Sequence, residues 1–416
     1  MWEPAPATFK QSIMTVTPAS DSEPRSLGMT TLLAMMTALG PMASCLYLPS
    51  FPAMVAAFGG TPAEAQLTLS VFSFGMASGV LVYGPVADHY GRKPVLLVAM
   101  AIFVVASLAC IFVPDLQTMA AMRFIQALGA SGPLVLGRSI VRDLYEGARA
   151  GAELARLSSI MGLVPAMAPI LGGVLQQYFG WPSTFIAIAG VGAFCLTGIA
   201  LTMPETAPSR QSRRMTPGDL IRSYVFLSRH WVFWRYTILV ALSYAGLFSL
   251  LSASPHILQD IAGLSPFAFG VSFNIVMFGY IGGTISGRMV VSRVGMERAI
   301  GIGTIVALVG AGAALATTEM LGVTAWTVLP PIALAYFGIG MYYPQGIAGA
   351  LIPFPERAGA ASSLMTSIIM LLAAIVGLVV GHSLGDTARP LTFALLITGV
   401  LSLVFSLLPT GHSEQN

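Results

Sequence analysis

Residues 84–93 read Gly84-Pro85-Val86-Ala87-Asp88-His89-Tyr90-Gly91-Arg92-Lys93 and stand between two long apolar runs, 63–86 and 94–113. A bilayer crossing takes about 20 largely apolar residues. The two runs therefore predict the arms of a helical hairpin, and the polar island predicts its turn. Gly91 permits a turn with positive φ. Gly84 is expected to allow close helix approach. Asp88 can hold Arg92 and the backbone donors at the start of a neighbouring helix. The plainer alternative is a basic loop that does no more than fix orientation.

Working outward, the same pattern repeats along the chain. Of its 416 residues, 56% are hydrophobic and only 9% are charged. A soluble domain carries roughly 25% charged residues. So much apolar surface with so few charges suits a lipid solvent, in which a helix can be apolar all round. This excludes a soluble enzyme, a disordered chain and a nucleic-acid binder. Membrane-length runs fall at 28–57, 63–86, 94–113, 118–142, 152–178, 183–203, 233–259, 266–291, 296–317, 324–352, 358–384 and 388–409. Cys45, Cys110 and Cys195 all lie inside them, with neither metal-ligand spacing nor a disulfide framework. No metal site is expected. Residues 1–26 are polar and rich in Pro and Ser, show no export signal, and read as a cytoplasmic tail.

Twelve crossings put both termini on one side. With that side inside, only Arg123 and Arg389 of the 20 Lys and Arg lie in the outer half. The positive-inside rule then places both termini in the cytoplasm of a cell whose inner membrane holds the chain. Residues 204–232 form the longest polar stretch, carry Arg210, Arg213, Arg214, Arg222 and Arg229, and divide the chain six plus six. The expected units are a first bundle at 27–203, a basic linker at 204–232, a second bundle at 233–409 and a short tail at 410–416. Ser158-Ser159-Ile160-Met161 returns as Ser362-Ser363-Leu364-Met365, and Gly91 returns as Gly295, both at an offset of 204 residues. Duplicated halves with a site between them are a transporter architecture. In that architecture the Asp88–Arg92 cluster would latch the inner side.

The pattern Gly84-x-x-x-Asp88-x-x-Gly91-Arg92-Lys93 resembles the signature of the major facilitator superfamily. Arg123-Phe124-Ile125-Gln126-Ala127-Leu128-Gly129 resembles its second motif. Gly162, Pro165, Pro169, Gly172 and Gly173 resemble the antiporter motif of its drug exporters. Tyr47-Leu48-Pro49, Val141-Arg142-Asp143 and Ser254-Pro255 are similar to the bicyclomycin/chloramphenicol-resistance (Bcr/CflA) branch of drug:proton antiporters. The resemblance implies an all-α membrane fold of twelve helices in two pseudo-symmetric six-helix bundles. It implies that spans two, five, eight and eleven form the contact between halves. Glycine ridges at Gly75 and Gly79, at Gly279, Gly283 and Gly287, and at Gly377, Gly381 and Gly385 fit sliding surfaces there.

The resemblance also implies a cavity lined by spans one, four, seven and ten. Tyr47, Phe51, Gln126, Ser131, Tyr244, Phe248, Tyr336, Tyr342, Tyr343 and Gln345 are its candidate wall, joined by Asn274 from span eight. Rings beside a few polar groups suit amphipathic substrates. Arg123 would line the cavity and serve coupling, whereas Arg138 fits a snorkelling cation.

One departure bears on mechanism. The branch usually has an aspartate two residues before Tyr-Leu-Pro, and Cys45 stands there. His256 and Asp260, four apart at the end of span seven, are the substitute proton carriers, with a wet helix end as the alternative. Lys10 and Lys93 are the only lysines and neither follows Gly, so no nucleotide loop exists. A proton gradient and no cofactor is expected to drive export of a small molecule by a monomer. Uptake or facilitated diffusion without proton coupling is the alternative. Gly381-His382-Ser383-Leu384-Gly385 matches a hydrolase pattern that needs a strand-to-helix turn, which a membrane-helix end does not offer.

Overall fold

The computed structural model describes residues 25–206 and 217–409. The expected tail at 1–24, the arginines at 210–214 and the segment 410–416 lie outside the described residues. The first half comprises α1 (Arg25–Cys45), α2 (Phe51–Phe58), α3 (Pro62–Tyr90), α4 (Arg92–Ala109), α5 (Leu116–Leu144), α6 (Gly147–Phe179) and α7 (Pro182–Thr202). A short α8 (Pro217–Ser228) lies in the linker. The second half comprises α9 (Trp231–Pro255), α10 (Pro266–Val294), α11 (Met296–Leu321), α12 (Ala325–Leu351), α13 (Ala358–His382) and α14 (Arg389–Leu407). Twelve of these helical stretches are long and apolar enough to cross a membrane, and no strand occurs among the described residues. Each predicted run is one of the twelve.

Local chemistry sets the helix ends. Thr61 caps α3: its hydroxyl accepts from the Glu64 amide at 3.3 Å, and the Glu64 carboxylate accepts from the Thr61 amide at 2.7 Å. Asp115 caps α5 by accepting from the Thr118 amide at 2.6 Å, a bond that holds its carboxyl below the usual range. Gly91 ends α3 with φ 99°, and Gly295 ends α10 with φ 84°. The duplicated pair thus performs the same turn in each half, at a conformation unfavourable for a side chain. Span one breaks after α1 into a tight turn at Leu48–Ser50, and span seven ends after Pro255 in a wide π-type turn at His256–Ile261. Proline at each break removes a ladder donor. Outward side chains such as Val105, Phe194, Leu201 and Phe278 remain exposed, as a lipid-facing surface allows.

Within the first half α5 packs on α1, α3 and α4, while α7 packs on α4 and α1. Within the second, α12 packs on α9, α10 and α11, while α14 packs on α9 and α11. Two broad seams join the halves, α3 on α13 and α6 on α10. The glycine ridges divide between these two kinds of contact, which corrects the sequence expectation. Gly75 and Gly79 of α3 pack on α5, and Gly279, Gly283 and Gly287 of α10 pack on α12, all within their own half. Gly172 abuts the Leu46 carbonyl, also within its half. The seams use Gly173 against the Pro266 carbonyl, Gly270 against the Pro169 carbonyl and Gly381 against Gln66 of α3, while Gly377 sits between Ser70 of α3 and Phe248 of its own half. Gly84, Gly162 and Gly385 face open space and serve no close approach. Small residues recur wherever helices touch, so spacing alone could not say which neighbour a ridge meets.

Candidate functional site

A cavity of about 610 Å³ lies between the halves. Its upper wall takes Ser44, Phe72, Ser73 and Met76 from the first half and Tyr244, Tyr343, Met365 and Thr366 from the second. Toward the linker side it extends past Arg138 to a mouth at Asp88, Arg92, Arg142, Leu220 and Tyr224. The last two belong to α8. Burial pushes the Tyr224 phenol up to about 12, so this mouth residue stays a neutral hydroxyl.

The far side is closed. Gln66 of α3 is fully buried, and its amide donates to Ser70 of the same helix at 2.9 Å and to Ser252 of α9 at 2.9 Å. Lower on the same seam, the Ser367 hydroxyl donates to the Ala77 carbonyl at 2.9 Å. Backbone-to-backbone approach at Gly173 and Gly270 seals the second seam.

Arg123 is fully buried and forms no part of the cavity wall. Its guanidinium lies 4.2 Å from the Tyr47 ring centroid and 4.2 Å from that of Phe72. One nitrogen donates to the Ala43 carbonyl at 3.0 Å and another to the Gln126 side-chain oxygen. Gln126 passes the network on by donating to Ser107 at 2.7 Å. Among the described residues no carboxylate pairs with Arg123. Two ring faces, a carbonyl and an amide stabilise this cation in place of an anion. Phe72 belongs to both places: one face of it covers Arg123 and the residue lines the cavity.

Arg138 is the cavity arginine instead. It stands six residues before the end of α5, about 9 Å along the axis. It is exposed and lines the cavity. The cation expected to snorkel thus lines the cavity, and the one expected in the cavity is buried in helix packing.

The charged loop after α3 is closed within the first half. Arg92 pairs with Asp143 of α5 and lies 3.8 Å from Asp88. Glu205, just past α7, accepts from the Arg92 and Lys93 amides at 2.9 and 3.3 Å. The Lys93 ammonium donates to the Ala200 carbonyl at 3.0 Å. Gly91 is needed twice here, because a Cβ would also crowd the Glu205 carboxylate. In this arrangement the cluster ties α3, α4, α5 and the end of α7 together, and none of these pairings reaches the second half. The second half has a linker-side counterpart, where Arg235 meets Glu297 at 2.7 Å.

Of the residues expected to line the cavity, Tyr244 and Tyr343 do so. Tyr47, Phe51, Gln126, Ser131, Phe248, Tyr336 and Tyr342 are buried in helix packing, the Tyr342 hydroxyl donating to Ser402 at 3.4 Å. Gln345 and Asn274 spend their amides on carbonyls of their own helices. His256 and Asp260 pair at 2.8 Å on the far side, well away from the cavity, and the other ring nitrogen lies 3.2 Å from the Gly385 carbonyl. Both ring nitrogens thus face acceptors, which a doubly protonated ring satisfies. Pro165 and Pro169 lie within α6, and Pro169 supplies the carbonyl met by Gly270. Ser383 sits at the C-terminal end of α13, not on a strand-to-helix elbow. The wall residues missed by sequence reading include Ser44, Ser73, Thr366, Met76 and Met365, types whose cavity exposure has no signature in a sequence.

The profile described as Major Facilitator Superfamily matches residues 31–378. An uncharacterized MFS-type transporter, YdgK of Bacillus subtilis (strain 168), is 31% identical over 397 residues, covering 94% of this chain and 97% of that one. A Haemophilus influenzae protein named bicyclomycin resistance protein homolog is 27% identical over 372 residues, covering 89% and 93%. The structure of the Escherichia coli xylose transporter XylE, in a partially occluded inward open conformation, superposes with TM-score 0.72 at 13% identity, covering 94% and 99%. That likeness concerns the fold.

Proposed function

The chain belongs to the major facilitator superfamily, and from that premise we propose that it exports small amphipathic molecules by alternating access in exchange for protons. Family membership makes it a multi-pass transporter of small molecules across a lipid bilayer. Direction and coupling are the proposal. The observation that carries it is the cavity between the halves, which reaches the linker helix on one side and is closed on the far side. The Lys and Arg skew supports a cytoplasmic linker side in an inner membrane. The cavity then takes its cargo from the cytoplasm.

Methionines and rings around a few polar groups support loose recognition of amphipathic shapes. A relative named for bicyclomycin resistance supports a toxic compound as cargo. One chain holds both halves, so a monomer suffices. The cycle needs the seams at Gly173, Gly270 and Gln66 to part while the linker-side mouth closes, the Asp88–Arg92–Asp143 cluster then meeting the second half as the latch. The proton gradient is the energy source and no cofactor is required. A buried cysteine, Cys45, stands where the branch carries its aspartate, so the far-side His256–Asp260 pair is assigned as the proton-loading group.

Everted membrane vesicles bearing the chain test this. Toxic amphiphiles presented on the exposed cytoplasmic face should accumulate inside only while a proton gradient stands, and a protonophore should release them. Accumulation unaffected by the protonophore, or uptake only into right-side-out vesicles, would overturn the reading.

A further inference from the structure

The mouth of the cavity is formally balanced. Arg92 and Arg142 line it with Asp88, and Asp143, off the wall, pairs with Arg92, which also lies 3.8 Å from Asp88. Arg142 lies within Coulombic reach of Asp143. Deeper in, Arg138 has no such balance. Among the described residues it makes no ion pair and no hydrogen bond, and Asp88 is the only carboxylate on the cavity wall. A guanidinium about 9 Å inside a spanning helix that faces a cavity and has no counter-ion marks a substrate or ion pathway. The groups facing it add to the same picture. Tyr343, from the opposite half, lies within Coulombic reach of both Arg138 and Tyr244. The hydroxyls of Tyr343 and Tyr244 open to the same cavity, and neither has a hydrogen-bond partner among the described residues.

We propose that the cargo of this cavity carries an anionic group, a carboxylate, phosphate or sulfonate, bound by the Arg138 guanidinium with Tyr343 and Tyr244 as hydroxyl donors. The inference rests on the reading of this cavity as the transport site and deepens it by naming the substrate's charge. The planar fork of arginine matches an oxyanion with two parallel N–H bonds, which an ammonium or a neutral amide on the cargo cannot accept in kind. The apolar body of the cargo then lies against Met76, Phe72 and Met365. Arg138 comes from α5 and Tyr343 from α12, so one anion ties the two halves together across the cavity. A bound anion therefore favours closure at the linker side.

The test is equilibrium binding to the full chain in nanodiscs with no gradient. The probes are benzoate, 1-naphthoate and biphenyl-4-carboxylate, each beside its primary amide and its benzylic ammonium counterpart. Wild type should bind the best acid about tenfold or more tighter than its amide and its ammonium, the return of one charge-assisted contact. Arg138→Met should bring acid and amide together, and Arg138→Lys should keep part of the preference. Should Arg138→Met fail to fold, Arg138→Lys and Tyr343→Phe decide, each lowering the preference several-fold. Equal or tighter binding of the ammonium series, no binding of any acid, or a preference unchanged by these substitutions overturns the inference. A failure of the export reading would leave the binding preference intact. Export of amines by a chain that binds no acid would overturn this inference alone.

Discussion

Gly173 and Gly270 face each other's helices across the α6–α10 seam, and the obstacle each would meet is a backbone carbonyl rather than a yielding side chain. Gly173→Ala places a methyl against the Pro266 carbonyl, so helices must separate before it fits. Overpacking of this kind costs about 1–3 kcal/mol. The cost falls on the far-closed state, because parting the seam relieves it. The equilibrium should therefore move toward the far-open state by roughly 5- to 150-fold, at 1.4 kcal/mol per factor of ten. Gly270→Ala, whose methyl meets the Pro169 carbonyl from the other half, should act in the same direction. Gly162→Ala supplies the control on the same helix as Gly173, since no atom lies within 4 Å of a Cβ there. It should be neutral or slightly stabilising, by about 0.5–1 kcal/mol through the helix-propensity gain. Spin labels at Gln117 and Trp326, exposed at the far ends of the two halves, report the opening as a longer distance in pulsed dipolar spectra. The native cysteines are all buried and would compete little for label. An unchanged distance distribution in folded Gly173→Ala, or an equal shift in Gly162→Ala, would refute the assignment of this seam as the far-side closure.

Other residues give independent tests. Arg123→Ala leaves the Gln126 oxygen and the Ala43 carbonyl without their donor and uncovers two ring faces. A loss of about 2–4 kcal/mol is expected, read as a lower melting temperature together with lost transport. Arg123→Lys, with a point charge in place of the fork, should recover only part of both, and full recovery would reduce Arg123 to a charge without geometry. Asp143→Asn should damage transport at least as much as Asp88→Asn, because Arg92 pairs more closely with Asp143. Vesicle transport measured for the two variants decides, and the opposite ranking would contradict the pairing. For His256→Ala with Asp260→Asn, the pH profile of transport should flatten between about pH 5 and 8, where an imidazole titrates. A profile and rate identical to wild type would make the pair a wet helix end.

Much of this architecture was legible in the sequence, for a physical reason. A bilayer demands helices of fixed length with internally satisfied backbones, so apolar runs at 63–86 or 266–291 could become little else than α3 and α10. Gly91 and Gly295 were likewise readable, because a positive-φ turn beside a charged hairpin is a local demand on one residue. The aromatic residues expected in the cavity were not readable in the same way. Tyr47, Tyr336 and Tyr342 lie on cavity-lining spans, yet they are packed away, while Tyr244 and Tyr343 face the opening. Adjacent Tyr342 and Tyr343 differ by about 100° around one helix, and only the neighbours of α12 decide which of them meets water. The two arginines of α5 carry the same lesson. Sequence gives each a similar depth and a similar cost in lipid. Tertiary packing gives Arg123 two ring faces and an amide, and leaves Arg138 in the cavity without a partner. Depth follows from position along the chain, but the partner of a buried charge comes from other helices, and only the assembled bundle brings those together.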